Sequence, residues 1–301
     1  MSSHSFIPND KNQDIFININ GKLYKRNEAK ISVFDSGFLL GDGVWEGIRL
    51  HHSKLVFIED HLDRLYASAK GISLNISFKR EEIIEEIYKV LDINKMYNDI
   101  HIRLIVSRGN KITPYQNPNA NEGPINLVII PEHKKTDPNT YVKGISIGRV
   151  PNVRPDSSIL NPQYNTLSKL NCILASIEAN KLGYDEGIMN DINGNISTCN
   201  STNLFFIKNN RVMTSTGEYC LNGITRSKAI SLCNKNKIDC SETNFTFGDI
   251  EDCNEAFVTG TFAGIIPVSK LEGKKLKSNN TDSLVNRIRT LYNEEIENYI
   301  V

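Results

Sequence analysis

The chain has 301 residues, room for one large domain or two ordinary ones, and 39% hydrophobic residues to build a core. Its 35 basic and 35 acidic side chains cancel, which removes the electrostatic case for nucleic acid or a charged membrane surface and leaves a small molecule or another copy of the chain as partner. The start MSSHSFIPNDKNQD has neither the basic end nor the apolar run of a signal peptide, and no stretch reaches the roughly 18 apolar residues of a membrane span, so a cytoplasmic protein is expected.

IFININGKLYKR alternates apolar and polar residues around Asn20-Gly21, a type I′ hairpin signal. Beyond a glycine-rich stretch, a helix is expected from about Glu59 to Lys70, with Leu62, Leu65, Tyr66 and Ala69 on one face and Gly71 as its stop. A second helix follows from about Lys79 to Leu91. The strands DIHIRLIVSRG and PINLVIIP flank a polar loop from Asn110 to Gly123. PEHKKTDPNTYV is charged and proline-bearing, so the expected division is a smaller domain over 1–131, a linker over 132–142 and a larger domain over 143–301. The second half offers strands near Gly144 to Val150 and on EGIMND, NLFFIKN and EAFVTG. Helices are expected from about Leu167 to Lys181, Ile224 to Asn236 and Ser283 to Tyr299, and hairpins at Asn193-Gly194 and Asn209-Asn210. The fold class is α/β (α+β). The six cysteines show neither C-x-x-C spacing nor a tight histidine cluster, so reduced thiols and no metal site are expected.

Three short features bear on chemistry. In CLNGITRSKAI, Gly223 precedes a helix whose first turn holds Ile224 and Thr225; free N–H groups and a positive dipole end suit a phosphate there, though a plain glycine turn would read the same. VTGTFAG ends an apolar strand with Thr261 among small residues. Arg64, in EDHLDRLYAS, stands four residues after Asp60, so a surface ion pair is its simplest use.

Taken together, FDSGFLLGDGVWEGIR, HLDRLYASAK, HIRLIVSRG, LSKLNCILASIEANKLGYDEGI, NSTNLFFI and LNGITR, in this order and at these distances, resemble the class IV (fold-type IV) pyridoxal-phosphate aminotransferases, a family holding branched-chain and D-amino-acid aminotransferases and aminodeoxychorismate lyase. The resemblance runs from about Ile15 to Pro267. It implies a two-domain fold with pyridoxal 5'-phosphate between the domains, and a homodimer. It also implies an exchange of an amino group between a small amino acid and a 2-oxo acid. Arg64 resembles the family's phosphate-binding arginine, Gly223, Ile224 and Thr225 its helix-start phosphate loop, and Thr261 a further phosphate anchor.

Two positions depart from the family's pattern. Relatives typically read K-[ST]-L-[NS]-Y-L before the fourth block's helix, the lysine bonding the cofactor; the same alignment puts Asn165 there and Lys169 where the family tends to have Tyr or Arg. Thr198 stands where a glutamate contacts the pyridine nitrogen, so the electron sink is expected to be weaker. Residues four apart share a helix face and long helical side chains lean toward the N-terminus, so the Lys169 amine is expected to point back toward Asn165, while the helix dipole at the first turn lowers its pKa. Lys169 then replaces the lost Schiff-base lysine. Two alternatives stay open for this lysine: cofactor binding without a lysine link, with slow or different chemistry, and a non-catalytic relative that binds another anion. For the reaction, a lyase on the same cofactor, in the manner of aminodeoxychorismate lyase, is the alternative to a transaminase. On the substrate side, Trp45 falls at a pocket-lining aromatic of the family, and Arg103 matches a carboxylate-holding arginine, with His101 replacing the neighbouring tyrosine. Arg108 is a second carboxylate candidate.

Overall fold

The computed structural model describes residues 4–300. Met1 to Ser3 and Val301, which the expected domain bounds and the reading of the N-terminal start include, lie outside the described residues. Asn20 and Gly21 both take positive φ (53° and 80°), the geometry whose twist matches a tight antiparallel pair, and fold β1 (Phe16–Ile19) back on β2 (Lys22–Lys25). With β3 (Gly43–His51), β4 (Lys54–Leu55), β5 (Ile100–Ser107) and β6 (Asn126–His133) they form a six-stranded antiparallel sheet in the order β2-β1-β6-β5-β3-β4. Helix α1 (Ile58–Gly71) buries Leu62, Leu65 and Ala69, and α2 (Arg80–Ile93) buries Ile83, Ile87, Val90 and Leu91 in the same apolar core. Gly71 belongs to α1, and a Cβ there would lie 2.3 Å from the Tyr164 ring. Close approach of that ring, rather than helix termination, is what excludes a larger residue.

The second sheet runs β9-β8-β7-β14-β13-β10-β11-β12, with β7 (Ile145–Val153), β8 (Glu186–Asn190), β9 (Ile196–Cys199), β10 (Asn203–Lys208), β11 (Arg211–Thr214), β12 (Cys240–Glu242), β13 (Glu255–Gly260) and β14 (Gly264–Leu271). Phe205 and Phe257, on neighbouring strands, stack with centroids 4.5 Å apart. Helices α3 (Leu170–Lys181), α4 (Ile224–Lys235) and α5 (Leu284–Ile300) pack against this sheet or one another. The expected linker is ordered: β6 reaches His133, Lys135–Thr136 pairs with Phe6–Ile7, and Asn139–Lys143 is helical.

Helix α3 starts three residues later than the sequence suggested, and the cause is a long-range contact. The Trp45 N–H donates to the Asn165 carbonyl (3.0 Å), the Leu167 N–H donates to the Gly43 carbonyl (2.9 Å), and Thr166 bridges Val44. Residues 165–167 are therefore held extended along β3, and helical turns begin only beyond them. Its small residues Ala175 and Ala179 are buried, whereas Leu170, Ile173, Leu174 and Ile177 form an i, i+3, i+4, i+7 stripe that is 44–66% exposed. The six cysteines are free thiols. Among the described residues no helix is long and apolar enough to cross a membrane.

Candidate active site

The centre of the site is a buried charge cluster. Glu46 on β3 has a fully buried side chain and accepts from Arg64 Nε (2.8 Å) and Nη2 (2.7 Å) in a two-pronged pair, and from His61 Nδ1 at 2.7 Å. Burial by itself would raise the Glu46 pKa, but Arg64 and His61 bring the carboxyl down to about 2. His61 and Arg64 are one turn apart on α1, so both reach the same carboxylate. Asp60, the partner the sequence offered Arg64, pairs with Lys228 instead. Glu46 and His61 are members of this cluster that sequence reasoning missed; the i, i+3 spacing of His61 and Arg64 is the signal that could have found His61.

From this cluster Arg64 reaches the start of α4, where Nη1 donates to the Asn222 carbonyl (3.1 Å). A guanidinium has five N–H donors. Three are used, and two remain. Gly223 is the N-cap residue of α4 and makes no side-chain capping bond, so the N–H groups of the first turn are left for a ligand. A Cβ on Gly223 would meet Asn203 Oδ1 at 2.3 Å, so close packing of Asn203 requires glycine. Thr225 is buried with its hydroxyl 3.4 Å from the Tyr292 hydroxyl. Thr259, paired with Asn203 across β10 and β13, has a buried hydroxyl without a partner among the described residues. Thr261 lies in the tight turn between β13 and β14 and is partly exposed. Arg64, an uncapped helix start and a group of hydroxyls make a donor set that fits a phosphate.

Asn203 also ties this end to Thr198, its Nδ2 lying 3.5 Å from the Thr198 hydroxyl. That hydroxyl donates to the Thr202 carbonyl (2.7 Å). Its lone pairs can accept an N–H from a protonated ring nitrogen, and it supplies no negative charge.

At the opposite end, Asn165 is 1% exposed. Its Nδ2 donates to the Trp45 carbonyl (2.6 Å) and lies 3.5 Å from Glu46 Oε1, while Oδ1 is buried without a partner among the described residues. Lys169 is the N-cap residue of α3 and shares no helical face with Asn165, because residues 165–167 are extended. Its amine nonetheless enters the cluster, with Nζ 5.7 Å from the centroid of the Trp45 ring. Burial, assisted by Arg154 and Arg64 and opposed by Cys172 and Glu46, brings the Lys169 pKa down to about 8. Desolvation and nearby guanidiniums do what the sequence argument assigned to the helix dipole. Arg154, buried and not singled out in the sequence, donates Nη1 to Cys172 Sγ (2.9 Å) and Nε to the Tyr219 carbonyl (3.3 Å).

Trp45 is partly exposed, with Nε1 donating to the Thr166 carbonyl (3.1 Å), and the Arg103 guanidinium lies 3.8 Å from its ring centroid. His101, set edge-on to Phe262 at 5.7 Å, is brought down to about 3 by burial with help from Lys134 and Arg103, and so stays neutral at physiological pH. Arg108 is turned elsewhere: Nε and Nη2 grip Asp42 (2.7 and 3.0 Å), and Nη2 and Nη1 cap the Ile72 and Ser73 carbonyls. Thus Lys169, Arg64, Thr198, the Gly223 to Thr225 turn, Trp45 and Arg103 are linked by shared neighbours, and Arg108 is bound up in holding a loop.

The class IV aminotransferase family model matches residues 43–271. The chain is 34% identical over 288 residues to branched-chain-amino-acid aminotransferase-like protein 2 of Arabidopsis thaliana, covering 95% of this chain and 51% of that protein. It is 33% identical over 279 residues to a putative branched-chain-amino-acid aminotransferase of Methanocaldococcus jannaschii, with 92% and 95% covered. The chain spans about half the length of the Arabidopsis relative and nearly all of the archaeal one. Among solved structures, the branched-chain aminotransferase of the thermophilic archaeon Thermoproteus uzoniensis with norvaline superposes with a TM-score of 0.83 at 26% identity, 95% of this chain and 96% of that one being covered. The chain therefore belongs to the class IV aminotransferase family.

Proposed function

We propose that the chain is a pyridoxal 5'-phosphate-dependent aminotransferase of the branched-chain type, moving an amino group between a small amino acid and a 2-oxo acid, with Lys169 in place of the family's usual lysine. The observation that carries this reading is the Lys169 amine, brought down to about 8 beside the Glu46–Arg64–His61 cluster and the Trp45 ring. When bound, the cofactor supplies an aldehyde that links amines and a ring that draws electrons from the substrate α-carbon. Arg64, the α4 start and Thr261 would hold its phosphate, and Thr198 would accept at its ring nitrogen. With a pKa of about 8, Lys169 is partly the free amine near neutral pH, the residue that would hold the cofactor and that can take a proton from the substrate α-carbon and later return one. Glu46 keeps Arg64 and His61 in place. Arg103, against Trp45, holds the substrate carboxylate, and the neutral His101 lines the same side.

A homodimer is supported by the exposed stripe of Leu170, Ile173, Leu174 and Ile177 that begins immediately after Lys169. A second apolar area supports it too: a cavity of about 440 Å³ elsewhere is polar, whereas one of about 340 Å³ on the small sheet is lined by Ile17, Phe38, Ile105, Val128, Ile130 and Leu167. Six free thiols go with a reducing, cytoplasmic setting. A non-catalytic relative would have no need to keep an amine at a lowered pKa beside a set of phosphate donors, and a lyase has no feature in its favour.

The test is to incubate the protein with pyridoxal 5'-phosphate, reduce with borohydride and map the modified peptide. Label on Lys169, with amino transfer that requires a 2-oxo acid, supports the proposal. Label absent from Lys169 while transfer persists, or turnover without any 2-oxo acid, overturns it.

A further inference from the structure

Far from this cleft, the hairpin joining β3 to β4 meets the C-terminal helix. His51 ends β3, His52 and Ser53 form the turn with positive φ (45° and 64°), and Glu297 projects from α5. One potential ligand atom from each of His51, His52 and Glu297 lies within 4.8 Å of the other two.

The hydrogen bonds around His51 fix which of its nitrogens is available. Asn98 Oδ1 accepts from the His52 backbone N–H (3.2 Å), so this atom is an acceptor and the amide orientation is set by the main chain. The same oxygen is 2.9 Å from His51 Nδ1, which must therefore be the donor. In a neutral imidazole, Nε2 then carries a lone pair. It points at Glu297 Oε1, 2.9 Å away, which is also an acceptor. Two lone pairs at that distance repel unless a positive charge lies between them, and only a second proton or a metal ion can supply it. His51 keeps its side chain mostly buried (13% exposed) and Glu297 is 58% exposed, so one ligand is rigid and the other can adjust.

We propose that His51, His52 and Glu297 bind a divalent transition-metal ion, zinc being the best match, and that the ion fastens the β3–β4 hairpin of the first sheet's domain to α5 of the second. Two imidazoles and a carboxylate suit a borderline cation, leaving a fourth tetrahedral position to water; magnesium and calcium prefer all-oxygen shells. The Asn98 contact to the far nitrogen of His51 is the outer-shell bond that orients metal-binding histidines. Bonds of about 2.0–2.1 Å place tetrahedral ligand atoms roughly 3.3 Å apart. The exposed His52 closes toward the pair from within 4.8 Å, and His51 and Glu297, now 2.9 Å apart, open slightly to admit the ion.

The test uses the full-length, tag-free chain with its thiols reduced, titrated with Co²⁺ and then Zn²⁺. The expected result is one Co²⁺ per chain with the visible absorption of four-coordinate cobalt, displaced by Zn²⁺, and a thermal midpoint that climbs with metal concentration. His51→Ala combined with Glu297→Gln abolishes both signals, and Asn98→Ala weakens binding about tenfold. All these side chains are near the surface, and circular dichroism checks that the variants fold; His52→Ala, which is exposed, repeats the test with the least disturbance. An absence of saturable binding means that a proton alone bridges His51 and Glu297 and overturns the proposal. Binding that survives undiminished in the double variant does so as well, since the ion would then sit elsewhere. Neither result depends on the aminotransferase assignment, because no cofactor or substrate is present.

Discussion

The two ends of the candidate cleft have been treated differently. At the proposed phosphate end stand Arg64, the uncapped start of α4 and Thr261, and Gly223 is required there by close contact with Asn203. At the reactive end the usual lysine is Asn165, buried and hydrogen-bonded to the main chain of Trp45, and the proposed amine comes from Lys169 at the start of α3. The anion end depends on backbone N–H groups, whose positions the whole fold dictates. The reactive end needs only one amine within reach, and a side chain of four methylenes can arrive from a neighbouring position. Geometry constrains the first far more tightly than the second.

Removing the relocated amine tests the contrast most severely. Lys169→Ala is expected to lower kcat for amino transfer by about 10²–10⁴-fold, the range of a general acid–base group, while pyridoxal phosphate still binds through its phosphate. The companion variant Asn165→Lys with Lys169→Tyr restores the usual arrangement; mass mapping after borohydride should find the label moved to position 165. Glu46→Gln comes next. It leaves Arg64 and His61 without their buried anion and should cost about 3–5 kcal/mol of unfolding free energy, read by urea titration.

Acid should expose the same cluster. Glu46 has a folded pKa of about 2, below its ordinary value of 4.5, so its stabilisation is complete above that ordinary value and is lost as pH falls toward 2. His101 adds to this: its folded pKa of about 3 lies below the ordinary 6.5, so the unfolded chain binds a proton first and stability falls as pH drops from 6.5 toward 3. Thermal midpoints should therefore decline steeply below about pH 5, and the decline should be shallower in Glu46→Gln, which has no carboxylate to protonate there. Lys169 works in the other direction. With a folded value of about 8 against 10.5, it costs stability while protonated, and stability gains from it between pH 8 and 10.5.

Gly223→Ala pushes a methyl group against Asn203 and should cost about 1–3 kcal/mol, seen as weaker cofactor retention on dialysis. The smallest effect separates the two arginines. Arg103→Ala should raise KM for the 2-oxo acid, whereas Arg108→Ala should leave KM unchanged and lower only thermal stability, since Arg108 is spent on Asp42 and two carbonyls.

The site was legible where its members lie close in sequence. The Gly223-Ile224-Thr225 turn and Arg64 in its H-x-D-R-L stretch are local features, although the one-turn spacing that adds His61 went unread, and the Asn20-Gly21 hairpin was set by two residues. What escaped was fixed by contacts across long stretches of chain. Glu46 meets Arg64 only because β3 packs under α1. The helix was expected to begin near Leu167, yet pairing of residues 165–167 to Gly43 and Trp45 draws them out straight. The lowered pKa of Lys169 was anticipated for the wrong reason: burial and two guanidiniums, one of them the unforeseen Arg154, are three-dimensional facts. Which face of α3 is buried is likewise a three-dimensional fact: Ala175 and Ala179 are buried and the larger apolar side chains look outward.

Trp45 is the sole tryptophan of the chain, and its ring lies 5.7 Å from the Lys169 amine and 3.8 Å from Arg103. All indole emission from the folded chain thus originates beside these two cations. Arrival of a conjugated aldehyde, or withdrawal of either cation from the ring face, is written directly into fluorescence intensity, and occupancy can be followed in real time without any attached dye.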